Sequence, residues 1–350
     1  MTSTEARAVS LYNPKAIARR KQLVRWTTSA LVLATILFVQ GDQIAALLGD
    51  GRSVLIQAIV TGLLIGGVYG LVSMGLSLIF GVLHIINFAH GALMTVGMYT
   101  AFMLVASTGL DPYATLVIVV AVTIGLGMLI QQVLINRIMG QPLENQLLLT
   151  LGLAILIENG LLLAFTATPR AVQLPYSSGT LSLGVVDITF PFRAFGAVVS
   201  LPRAVAFFGA LAIAGLLFLL LQRTKLGTAI RAVADNPQGA SLVGINSNRI
   251  FIVTFGLGVG CAGAAGVLVL PFLSLEPTTG DMFNILAFVI VVLGGLGSVV
   301  GALLGGLLIG VTQELGGVVF PGQSKLLAVF IVFLLVLYLR PQGLFGKLSE

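Results

Sequence analysis

The chain reads as an all-α, polytopic transmembrane helical bundle of about eight to ten spans. Some of those spans are broken or re-entrant, and a small hairpin-like loop lies outside the membrane. Three observations predict this. Of the 350 residues, 57% are hydrophobic and only 9% charged, with a mean hydropathy of +1.09; soluble domains carry about 25% charged residues. Apolar runs near the roughly 20 residues needed to cross a hydrocarbon core recur along the chain. The 43 glycines are frequent in these runs, where small residues let helix backbones approach closely.

The elements follow in order. Residues 1–25 form a polar, basic tail, 26–340 a single transmembrane domain, and 341–350 a short C-terminal tail. Candidate spans are 26–47, 54–80, 86–106, 113–135, 145–165, 204–222, 250–271, 282–293, 299–320 and 326–339. The run at 282–293 is too short to span comfortably, and the glycine-rich 294–297 separates it from the next. The apolar stretch after residue 25 runs on past Gln40 without a small-residue cleavage site, so it reads as an uncleaved first span rather than a signal peptide. Arg19 and Arg20 next to each other are explained by topology.

Charge placement tests the count. With a cytoplasmic N-terminus, 13 of the 18 lysines and arginines fall on the inner side, as the positive-inside rule expects. They lie in the tail, at Arg137, in 223–249, and at Arg340 and Lys347. Arg52, Arg170, Arg193, Arg203 and Lys325 fall outside. Both termini are then cytoplasmic. The same placement accounts for the net charge of +6 without nucleic acid as a partner.

Two connections stand out. The external one, 167–202, is rich in Pro, Ser and Gly with short β-like runs, suiting a hairpin or lid. The internal one, 223–249, contains Asn236-Pro237, a helix-start signal with Asn as N-cap and Pro at the first helical position. Ala240 and Val243 are expected on one face of that short helix, and Gly244 ends it in the left-handed conformation.

At these residues a resemblance becomes specific. Gly227, Arg231-Ala232, Asn236, Ala240 and Gly244-Ile245 resemble the cytoplasmic coupling loop of permease subunits of branched-chain amino-acid-type ABC importers, which include LivH-like and urea-type permeases. INFAHGALMTVGMY (86–99) resembles the family's Asn-Phe-Ala-His-Gly segment. GGLGSVVGALLGG (294–306) and RPQGLFG (340–346) match in the same order, so the likeness runs from about residue 54 to 346. The first 50 residues match nothing in the family. The resemblance implies an importer with two permease subunits, here a related but different second chain. It also implies two cytoplasmic ATPases docked on the coupling loops and an external substrate-binding protein. Gly227, Arg231, Ala232, Asn236, Pro237, Ala240, Gly244 and Ile245 would couple this chain to the ATPase. The solute would be a branched-chain amino acid or another small polar molecule. No G-x-x-x-x-G-K-[ST] run occurs in the sequence, so the chain is expected to hold no cofactor, with ATP and magnesium on the partner ATPases.

Asn87, His90 and Gly91 begin an apolar segment, where helix N–H groups point at whatever occupies a cavity. They either line the translocation path or fix helix packing through hydrogen bonds. Glu158 and Glu314 are the carboxylates nearest membrane depth; they either relay protons or stay hydrated near outer helix ends. Cys261 reads as a small packing residue. His84 is interfacial, and its six-residue separation from His90 with no carboxylate nearby argues against a metal site. Gly62, Gly66 and Gly70, and Gly297, Gly301 and Gly305, recur every four residues and predict close helix crossings. No nucleophile or metal cluster suggests an enzyme. The alternatives to an ATP-driven permease are an ion-gradient-driven secondary transporter or a passive small-solute channel.

Overall fold

The computed structural model describes residues 51–172, 180–182, 187–189, 192–194, 197–320 and 324–346. The basic tail, the expected span 26–47 and residues 347–350 lie outside the described residues. Eleven α-helices are described: α1 Arg52–Leu83, α2 His90–Thr108, α3 Leu116–Val133, α4 Leu143–Phe165, α5 Leu201–Arg223, α6 Lys225–Asp235, α7 Pro237–Leu242, α8 Ser247–Val269, α9 Thr279–Gly294, α10 Val299–Val319 and α11 Lys325–Leu339. Among the described residues, seven helices are long and apolar enough to cross a membrane, and α9 and α11 are shorter apolar ones. Every expected span after residue 50 therefore has a helix. Between α4 and α5, strands β1 Thr180–Ser182 and β2 Asp187–Thr189 pair antiparallel, as do β3 Phe192–Ala194 and β4 Ala197–Val199.

Glycine contacts set the packing. Lipid tails are as apolar as leucine, so van der Waals contact, not water exclusion, holds membrane helices together. Among the described residues, the most extensive pair is α1 with α10. A Cβ on Gly62 would lie 2.6 Å from Val311 Cα, one on Gly66 2.9 Å from Gly306 O, and one on Gly70 3.0 Å from Leu303 O. The pairing 62–311, 66–306, 70–303 makes the helices antiparallel. The predicted stripe Gly62, Gly66 and Gly70 thus meets Gly306 and Gly310. Gly301 and Gly305 face α9 instead, against Gly294 and Ile290. Gly297 lies in the α9–α10 turn at φ 81° rather than in a helix, close to Gly81. α8 is the second seam: Gly258 meets Gly75 of α1, Gly263 meets Thr123 of α3, and Gly266 meets Met94 of α2.

These contacts order the ends of the bundle. α1, α3, α5, α9 and α11 run one way, α2, α4, α8 and α10 the other. Arg137, Arg223, Lys225, Arg231, Arg249 and Arg340 consequently share one end, here called the basic end. Arg52, Arg170, Arg203 and Lys325 share the far end. At the far end Gln57 of α1 ties down β4, since its Nε2 donates to Val198 O (3.0 Å) and its Oε1 accepts from Val198 N (2.7 Å).

Candidate functional site: a broken helix entry and a two-piece stub

The chain does not turn at the basic end between α1 and α2 as an ordinary pair of spans would. His84 closes α1 in the left-handed conformation, φ 57°, with its N–H on Phe80 O. Residues 84–87 then run without helical structure, and a turn at 88–89 leads into α2 at His90. His90 Nε2 lies 3.0 Å from Val72 O. Val72 precedes the end of α1 by 11 residues, or about 16 Å at 1.5 Å per residue. That is about half of a ~30 Å hydrocarbon core. Six residues reach at most about 20 Å, so the segment runs nearly straight back into the bundle. The apolar run starting at 86 is therefore re-entrant, and its helix begins at His90.

Non-helical backbone at that depth survives only where protein satisfies it. Three side chains do so here. Thr150 of α4 donates to Ile86 O at 3.2 Å. Asn87 Oδ1 accepts from Ala89 N at 3.1 Å. Asn284 of α9 contributes both halves of its amide: Oδ1 accepts from Gly91 N at 3.2 Å and Nδ2 donates to Phe88 O at 2.9 Å. Gly91 has to be glycine because a Cβ there would meet Gly280 O and lie 2.7 Å from Asn284 Cβ. Phe88 packs on Phe288 with ring centroids 4.9 Å apart. Asn87 and His90 are each 0% exposed. Their Nδ2 and Nδ1 atoms have no hydrogen-bond partner. With Nε2–H assigned to Val72 O, Nδ1 carries the lone pair. The turn thus holds one spare donor and one spare acceptor near mid-depth. Asn284 was not singled out from sequence; a lone Asn in an apolar helix was its only signal.

The connection 223–249 is more helical than expected. Beyond the predicted short helix, α6 occupies Lys225–Asp235, with Gly227, Ile230 and Val233 buried. Thr224 caps it by accepting from Gly227 N at 3.0 Å. A Cβ on Gly227 would strike Leu220 O and Leu221 O, so the α5–α6 corner closes only on glycine. Arg231 donates to Leu221 O across that corner, satisfying a carbonyl at the end of α5. Asn236 breaks the stub and caps α7, accepting from Gly239 N at 2.8 Å, with Pro237 at the first position. Gly244, φ 87°, ends the element. Ile245 N–Ala240 O and Gly244 N–Ser241 O, both 3.1 Å, are the two bonds of a Schellman cap. One expectation is corrected. Ala240 is 4% exposed but Val243 76%, because the cap rotates Val243 off the inward face. Ala232 and Ile245 are half-buried, whereas Leu242 stands out beside Val243 at 88% exposed. A cavity of about 250 Å³ lies beneath the corner, lined by Ser77, Gly81, Leu221, Arg231 and Ser298 among others.

Cys261 is buried and unpaired. Among the described residues no three His, Cys, Asp or Glu side chains come together as a metal site. Glu158 borders a small cavity with Glu276 and Thr278, in the far-end half of its helix. Glu314 lies in the far-end half of α10, half-buried.

A family model described as branched-chain amino acid transport system, permease component, matches residues 58–339. The chain belongs to the branched-chain amino acid transport permease family. This permease is 33% identical to the high-affinity branched-chain amino acid transport system permease protein BraD of Pseudomonas aeruginosa, over 83% of this chain and 96% of the relative. It is 30% identical to the corresponding LivH of Salmonella typhimurium, over 83% and 96%. Over a shorter stretch, 27% of this chain and 29% of the relative, it is 39% identical to the fructose import permease protein FrcC of Rhizobium meliloti. No solved structure matches the chain. The match covers both the broken entry to α2 and the α6–α7 stub. With seven apolar helices of spanning length, the permease is a multi-pass membrane protein.

Proposed function

We propose that this permease forms one half of the translocation path of an ATP-driven importer, in a bacterial inner membrane with its basic end in the cytoplasm. The second half is a related chain. An external binding protein delivers the solute at the far end, and two ATPase subunits holding ATP and magnesium dock on the basic end. The solute is a branched-chain amino acid or a similarly small polar molecule. Relatives named for branched-chain amino acids support this class, and the spare donor and acceptor of Asn87 and His90 suit a zwitterion or amide. Asn87, His90 and Gly91 line the path in the open state. Gly227, Arg231, Ala232, Asn236, Pro237, Ala240, Gly244 and Ile245 shape the coupling stub.

The observation that carries the reading is the stub itself. Two capped helices are locked to the end of α5 by Gly227 and Arg231, and they present Leu242 and Val243 to solvent. An exposed apolar pair on so well-braced an element suits an interface anchor. Reconstitution in vesicles tests it. Solute uptake is expected only when ATPase and binding protein are both present. Leu242→Asp with Val243→Asp is expected to cut uptake about tenfold or more while the permease folds normally, since neither side chain supports the core. Uptake by the purified permease alone, under an ion gradient, would replace this reading with a secondary transporter. Passive equilibration of solute would indicate a channel.

A further inference from the structure

α5 and α10 each pack on α1, where Gly67 meets Phe207 and Gly62 meets Val311. The cavity of about 250 Å³ beneath the α5–α6 corner is walled by α1, α5, α6 and the start of α10. Its lining is mixed. Phe218 of α5 and Val300 of α10 are 41% and 45% exposed and form an apolar edge. Ser77 of α1, Arg231 of α6 and Ser298 at the start of α10 are polar. Among the described residues, no carboxylate lines this cavity.

The polar groups are donors. Ser77 is 0% exposed, and its Oγ has no hydrogen-bond partner. A buried hydroxyl left unpaired costs about 1–3 kcal/mol, a cost that an acceptor in the cavity would remove. Arg231 spends two of its five N–H donors, one on Leu221 O and one on Thr228 Oγ1 at 3.4 Å. Ser298 caps α10 by accepting from Gly301 N at 3.1 Å. The N–H groups of Val299 and Val300, both on the cavity wall, are the other two of that first turn and have no intrahelical carbonyl to meet. α10 is 21 residues long, so the positive end of its dipole also lies here. A hydroxyl, a guanidinium and two backbone N–H groups, with no carboxylate beside them, form the kind of donor set that phosphate oxygens accept.

We propose that this cavity is a phosphate-binding site, filled by the headgroup of an anionic phospholipid in the leaflet at the basic end. The apolar edge favours a lipid over free phosphate. Val300, Leu304 and Leu308 recur every four residues along α10 and are 45%, 41% and 40% exposed. A stripe for an acyl chain thus leads from the polar groups toward mid-depth. Basic pockets between membrane helices suit such headgroups. The bound phosphate links Arg231 of α6 to the start of α10. Leu242 and Val243 take no part in it. The site belongs to the permease whatever drives transport, so failure of ATP-driven uptake would leave it standing.

The test uses the full-length permease in neutral detergent, washed free of copurified lipid, and follows its thermal midpoint as ligand is added. Three probes separate the sources: a short-chain phosphatidylglycerol, the matching phosphatidylcholine, whose choline cancels the charge, and inorganic phosphate. Phosphatidylglycerol is expected to raise the midpoint saturably, and the other two much less. Arg231→Gln is expected to raise the half-saturating concentration about tenfold, and Ser77→Ala about fivefold. Val300→Glu, which sets a carboxylate at the exposed edge, should abolish the shift. Arg249→Gln, at the same end but outside the cavity wall, should leave it unchanged. The midpoint of each variant without lipid reports folding separately. An equal shift with phosphatidylcholine overturns the inference, because net charge would then not matter. So does a shift that Arg231→Gln and Val300→Glu leave intact, one that Arg249→Gln weakens as much as Arg231→Gln, or a midpoint that no probe moves. A full shift with inorganic phosphate overturns the lipid assignment and keeps the phosphate site.

Discussion

α8 and α4 have the same length, 23 residues, and both qualify as spans, yet 83% of the apolar stretch of α8 is buried inside the chain against 17% for α4. Hydropathy does not separate them. Side-chain size does. α8 carries Gly256, Gly258, Gly260, Gly263 and Gly266, and a Cβ at any of them would run into a neighbouring helix. α4 is leucine-rich, and its Gly152 and Gly160 have nothing within 4 Å of such a Cβ. Leu148, Leu156 and Leu163 of α4 are 66%, 70% and 88% exposed. Among equally apolar helices, the small ones form the interior of the bundle. The large ones are left with a face for lipid or for another membrane chain.

Adding bulk at equivalent places breaks or keeps this contrast, and the largest effect is expected in the seams. Gly310→Leu would push a side chain into Gly62 O and Gly66 Cα. Overpacking typically costs about 1–3 kcal/mol, and backbone on both sides leaves no room to relax. The thermal midpoint in detergent is expected to drop sharply and uptake to vanish. Gly152→Leu on α4 is expected to change the midpoint little, so equal losses from the two variants would erase the contrast. Arg231→Glu comes next. It removes the donor to Leu221 O and sets a carboxylate against carbonyls, so uptake should fall about tenfold at a nearly unchanged midpoint. Asn236→Ala is smallest. Losing an N-cap costs about 1 kcal/mol, and α7 is six residues long. Faster amide exchange confined to α7 is expected, with a several-fold loss of uptake.

The spans after residue 50 were legible because length and apolarity alone determine them. The Asn236-Pro237 start and the Gly244 stop were legible because capping is local chemistry. α6 was not foreseen, although Leu226, Ile230 and Val233 repeat at helical spacing, because the Asn-Pro signal beside it is stronger. The glycine stripes announced close crossings, but the facing partner depends on how helices rotate about their axes, which a four-residue repeat does not encode. Broken or re-entrant spans are expected from the sequence, but where the break falls is not legible, for a different reason. Ile85, Ile86, Phe88 and Ala89 are as apolar as any membrane helix. What forces them out of helical form is a set of distant groups, the Thr150 and Asn284 side chains and the Val72 backbone carbonyl, that only the tertiary fold brings to bear.

The Gln57 clamp has a practical consequence. A side-chain amide that matches both the donor and the acceptor of Val198 acts as a one-residue strand grafted onto a helix, so β4 is indexed to the axial orientation of α1. Val198 is 44% exposed. A fluorophore or isotope probe there would register any twist of α1 from the end of the bundle, without disturbing the broken entry to α2 or the α6–α7 stub.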